Sequence, residues 1–108
     1  MQTVIQILSK KSTSLRDRIV SDKKIENFGL CVSQIQKADR EPGWSKLHGT
    51  EGQHGAVNIQ WLASARVLLC RVVTKAKGDP APITGDFVRY VVSRFKSEIL
   101  TIVIRPDA

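Results

Sequence analysis

The chain's only two histidines, His48 and His54, lie six positions apart, with Glu51 midway between them. Imidazole titrates near neutral pH and a neighbouring carboxylate can hold or relay a proton, so this trio is the candidate general acid–base set. Trp44 and Lys46 stand just upstream and add a large aromatic surface and a cation. A His-x5-His spacing does not put two imidazoles on one helix face, and no cysteine adjoins it, so no metal set is read here. Gly49, Gly52 and Gly55 recur every third residue, but they lead into a strand pattern and lack the Gly-Lys-Ser/Thr ending of a phosphate loop. Tight turns account for these glycines, and a solvated loop accounts equally well for the polar residues among them. No cofactor is implied.

Cations form the second group. The sequence has 17 Lys+Arg against 10 Asp+Glu, a formal net charge of +7, and the excess is uneven. Residues 1–24 carry a net +4, 25–54 carry −1, 55–84 carry +3 and 85–108 carry +1. The densest block is Lys10, Lys11, Arg16, Arg18, Lys23 and Lys24, with Lys75 and Lys77 a second, smaller cluster. Such surfaces attract phosphates by releasing counterions, and they also serve simply as solvated faces. Arg71 is the odd member of an apolar run, where it either snorkels at a sheet end, pairs with an acid, or serves an anion. Trp44, after Pro42-Gly43, is read as a lid folded back on the core, the alternative being an exposed partner-binding residue. Trp61 is read as core.

These groups need elements to hold them. Thr3–Leu8 is short and β-branched and reads as a strand, with a helix as its rival. Ser12-Thr13-Ser14 offers helix caps before Leu15 and Ile19, which share one face of a helix over about 14–22. Phe28, Leu30 and Val32 alternate with small or polar residues, the signature of a strand running to about Gln36. Residues 37–55, with four of the seven glycines, read as one long glycine-rich loop. Val57–Trp61 alternates as a half-wet strand, and Val67–Val73 is apolar on both faces, as a central strand should be. Residues 77–83 read as a connection, 86–97 as a helix burying Phe87, Val91 and Phe95 and capped by Thr84 or Asp86, and Ile99–Ile104 as the last strand. The expectation is a single α+β domain over 1–108. It has two layers, a mostly antiparallel sheet of four or five strands and two helices, in the order β-α-β-β-β-α-β.

Cys31 and Cys70 each sit in apolar sequence and read as reduced core thiols. The start lacks a basic leader and no apolar run approaches the roughly 20 residues of a membrane span, so a soluble cytoplasmic protein without membrane contact is expected. The function read from this balance is a non-enzymatic binding or interaction module. Its partner is nucleic acid or an acidic protein, with a second copy of the chain as a further partner through a sheet edge or apolar patch. A small-molecule binder lidded by residues 37–55 is an alternative. Lys46-Leu47-His48-Gly49, followed by Ala65-Arg66-Val67-Leu68-Leu69, also resembles small ribonuclease toxins of the toxin–antitoxin kind. That resemblance implies RNA cleavage, with His48, Lys46, Arg66 and Arg71 in the site. The chain departs from the toxin pattern at 77–97, where a second helix interrupts the run from strand to strand.

Overall fold

The structure, a computed structural model, describes residues 2–75 and 77–107. Its frame is a six-stranded antiparallel sheet, one strand more than the upper expectation, with helices on one face only. Strands β1 (Gln2–Ser9), β2 (Leu30–Gln34), β3 (Trp44–Gly49), β4 (Ala56–Leu62), β5 (Val67–Val73) and β6 (Ile99–Arg105) lie in the order β2-β3-β4-β5-β1-β6. Helix α1 (Leu15–Val20) is followed by a 3-10 turn over Lys23–Phe28. Helix α2 (Ala81–Phe95) joins β5 to β6.

Period-two alternation decides which side chains meet the helices. Ile5 and Ile7 of β1, Leu47 of β3, Val57 and Ile59 of β4, and Leu68, Cys70 and Val72 of β5 turn inward. Over them pack Leu15 and Ile19 of α1 and Ile83, Phe87, Tyr90, Val91 and Phe95 of α2. The four-residue spacing of Ile83, Phe87, Val91 and Phe95 puts them on one helical stripe, which is why α2 forms against this sheet. Tyr90 meets Phe28 and Phe95 edge-on, with ring centroids 5.4 and 5.7 Å apart. Trp61 is half-buried against this cluster, close to its expected place.

Three expectations are corrected. The stretch 37–55 is not one loop, because β3 runs through its middle and pairs with both β2 and β4. Helix α2 begins at Ala81, not at 86. Prolines are tolerated in a first turn, where the N–H has no helical partner, and Asp79 Oδ1 accepts the Ala81 N–H at 3.0 Å, a cap that Thr84 and Asp86 do not supply. Strand β2 starts only at Leu30, because Gly29 adopts φ +76° to end the 3-10 turn before it. Among the described residues, no helix is long and apolar enough to cross a membrane.

Candidate anion-binding face

The face of the sheet turned away from the helices carries the other half of every alternation. Register lines up its residues in rows across the strands. One row runs Lys46, Asn58, Arg71, Val4, Arg105 through β3, β4, β5, β1 and β6. A second runs Trp44, Gln60, Leu69, Gln6, Val103, and a third runs Cys31, His48, Ala56, Val73, Gln2. With neighbouring strands about 4.8 Å apart, Lys46 and Arg71 root about 10 Å apart, as do Arg71 and Arg105. Arg71 thus resolves to the open face, and among the described residues neither it, Lys46, Lys75 nor Arg105 enters an ion pair.

Two cavities adjoin along this face and share Asn58 and Val73. The first, ≈ 350 Å³, lies between Arg40, Trp44, Gln60, Leu69 and Arg71. The second, ≈ 520 Å³, lies between Lys46, His54, Thr74 and Lys75. Gly55 shapes the second wall: it holds φ +95°, and a Cβ there would stand 2.6 Å from the Val73 carbonyl oxygen. Three buried side-chain polar atoms among the described residues lack a hydrogen-bond partner, and two of them, Trp44 Nε1 and Thr74 Oγ1, belong to residues lining this trough.

Trp44 is buried, yet not as a lid on the core. It lies on the open face, where the Arg40 guanidinium sits 5.0 Å from its ring centroid. Acids are present at that end too: Asp39 is 3.9 Å from Lys37 Nζ, and Glu41 accepts a hydrogen bond from Gln60 Nε2. The cationic end of the trough is therefore the one at Lys46, Arg71 and Lys75.

The candidate acid–base trio is not assembled. His48 Nε2 is 3.0 Å from Cys31 Sγ across the β2–β3 pair. Burial, with the Glu26 carboxylate adding to it, pushes the Cys31 thiol above its ordinary value, so the proton stays on sulfur and the imidazole faces a neutral thiol. His54 lines the second cavity instead. Glu51 stands by Gly29, where its backbone N–H donates to Gln53 Oε1 at 2.7 Å, and its carboxylate makes no hydrogen bond to either imidazole. Cys70 faces the opposite side of the sheet from Cys31, and both are free.

The basic block at 10–24 divides. Arg16 is a structural clamp: its guanidinium donates to Ser45 Oγ at 2.7 Å, to the Trp44 carbonyl at 3.0 Å, to the Ile35 carbonyl and to Asp17. Arg18 grips both oxygens of the buried Glu98 carboxylate at 2.9 and 2.8 Å and lies 5.4 Å from the Phe95 ring centroid. Lys10, Lys11, Lys23 and Lys24 are exposed but sit on the turns beside the helix layer, off the open face. Lys77 is exposed in the connection to α2, and Arg66 occupies the β4–β5 turn at φ 54°. Sequence reasoning put Asn58 and Gln60 on the wet face of a strand by period two without counting them as site residues, and it overlooked Thr74 and Arg105. Comparison of the chain with protein-family models, with curated proteins and with solved structures finds no match in any of the three.

Proposed function

We propose that the protein is a non-enzymatic binding module that holds an anionic ligand on the helix-free face of its sheet, with nucleic acid the best-fitting class. The observation that carries this reading is the row of Lys46, Arg71 and Arg105, which with Lys75 gives one face four cations without an ion pair among the described residues. Such cations attract phosphates, and the amides of Asn58 and Gln60 stand in the same rows beside them. The ribonuclease reading is the weaker one, because His48 faces the Cys31 thiol and the Glu51 carboxylate makes no hydrogen bond to either imidazole among the described residues.

The test is fluorescence anisotropy with a labelled single-stranded RNA and its DNA counterpart. Wild type binds in low salt, Arg71→Glu and Lys46→Glu each weaken binding at least about tenfold, and the paired Lys23→Glu, Lys24→Glu control binds like wild type. If the control loses binding and Arg71→Glu does not, the open face is the wrong surface. RNA integrity is followed in the same mixtures, and cleavage abolished by His48→Ala would replace this reading with the enzymatic one. The ≈ 350 Å³ cavity beside Trp44 favours a second reading, a small anionic ligand. Displacement of the labelled strand by a mononucleotide as readily as by the oligonucleotide would support it.

A further inference from the structure

One edge of the sheet is guarded and the other is not. Strand β2 is five residues long and ends in Ser33 and Gln34. Strand β6 is seven residues long, pairs only with β1, and has no charged residue from Ile99 to Ile104. Its single irregularity is the bulge opposite Leu8 and Ser9; from Thr101 to Arg105 the register is continuous. An open edge of this kind presents unpaired N–H and C=O groups, and soluble proteins protect such edges with charges, prolines or covering elements.

The flank of α2 beside this edge is apolar as well. Ala81, Thr84 and Gly85 line a cavity with Ile104 and Pro106, and helical spacing carries that stripe on through Val88 and Val92. Arg89 and Arg94 are held on the helix's other flank, Arg89 5.0 Å from the Phe28 ring centroid and Arg94 bonded to both oxygens of Asp22. Among the described residues six large apolar side chains are left exposed, and four belong to this region: Val92 (43%), Leu100 (63%), Val103 (42%) and Ile104 (42%).

We infer that a second copy of this chain covers this edge, β6 pairing antiparallel with its own counterpart about a two-fold axis through Val103. The charge pattern selects that occupant. A chain of net charge +7 repels its copies across most orientations, and this strip lets two of them meet with no cations face to face. With the axis at Val103, Ile102 of one copy stands opposite Ile104 of the other, and Arg105 opposite Thr101. The two Arg105 residues then root about 14 Å apart along the strands, beyond the physiological screening length of about 8 Å. The same residues meet on both sides, as an isologous interface requires, and the contact closes at two copies. The resulting twelve-stranded sheet carries both open faces on one side.

Sedimentation velocity and light scattering on the full chain test this. Wild type sediments at twice the 12.0 kDa chain mass at high micromolar concentration and dissociates on dilution. Val103→Lys puts two ammonium groups opposite each other on the axis and weakens the dimer at least about 100-fold, while Val103→Thr keeps it. Val103 is already partly exposed, so Val103→Lys retains the wild-type circular dichroism spectrum, and its loss of dimer is not a loss of fold. A wild-type monomer up to roughly millimolar concentration overturns the inference, as does a dimer that survives Val103→Lys. So does one abolished by Ser33→Lys on the opposite edge strand, and so do open-ended polymers, which signal β6 pairing with β2 of the next copy.

Discussion

Truncating Arg18 separates the two roles that a basic residue can play in this protein. Glu98 is buried, its side chain 6% exposed, and its carboxylate meets Arg18 through two short hydrogen bonds. Arg18→Ala leaves that carboxylate enclosed without a partner, and breaking a buried pair in this way costs about 3–5 kcal/mol. Arg18 is itself 48% exposed, so water reaches part of the vacated space and the expected cost falls to about 2–3 kcal/mol. At roughly 4 °C per kcal/mol for a domain of this size, the midpoint of thermal unfolding drops by about 8–12 °C. Adding Glu98→Gln to Arg18→Ala removes the stranded charge and recovers about 1 kcal/mol or more, so the two substitutions are strongly non-additive. Urea unfolding at constant slope measures the stability, and the anisotropy assay measures ligand affinity where every variant is folded. Affinity should stay within about twofold of wild type, since Arg18 lies in the helix layer. A stability change under about 0.5 kcal/mol, or a binding loss as large as that of Arg71→Glu, would refute the assignment of Arg18 to the scaffold.

Two further outcomes follow from the same geometry. With Lys46, Arg71, Lys75 and Arg105 each neutralising a phosphate of a single strand, log affinity should fall against log salt with a slope of about −2.8. That is about a 50-fold loss between roughly 50 and 200 mM, and Arg71→Ala should reduce the slope by about 0.7. Asp22 supplies the pH dependence. Burial raises its pKa, but hydrogen bonds from Arg94, Tyr90 and the Lys24 N–H outweigh that and hold the carboxyl below its ordinary 3.8. A depressed folded-state value means its stabilisation is complete above the ordinary value and is lost as pH falls through the folded one. Acid titration of unfolding should therefore show a steeper loss below pH about 4 in wild type than in Asp22→Asn.

Where hydrophobic alternation was unbroken, the sequence predicted the element. Strand β4 and the buried stripe of α2 follow from side-chain period alone, while β5 and β6 were legible as short apolar, β-branched runs. Strand β3 escaped because only Leu47 among its inward residues is a large apolar one. Its other inward side chain, Ser45, is buried because its hydroxyl donates to the Ile35 carbonyl and accepts from Arg16. A polar residue buried by long-range partners leaves no mark in a local pattern. The cations of the first 24 residues misled for a related reason. Charge is visible in sequence, but Glu98, which engages Arg18, lies 80 positions away, and Ser45, which engages Arg16, lies 29 away. Arg71 could be read, since a lone cation in an apolar strand has to face whichever side is wet. The open face as a whole became visible only with register, because it is assembled from six strands that the chain does not visit in spatial order.

The place of β1 has a consequence for how the chain is made. Of the six strands the earliest in sequence lies between β5 and β6, so its seven positions paired with β5 wait for residues 67–73 and its six paired with β6 wait for residues 99–105. At about 5–20 residues per second of synthesis, Val4, Ile5 and Ile7 stay without a strand partner for several seconds. During that interval β2, β3 and β4 can already zip as successive hairpins. The early chain is thus a preformed meander with an apolar N-terminal arm still unplaced. That arm is the segment a holdase chaperone would meet first, and insertion of β1 beside β5 is the long-range step that should limit the refolding rate.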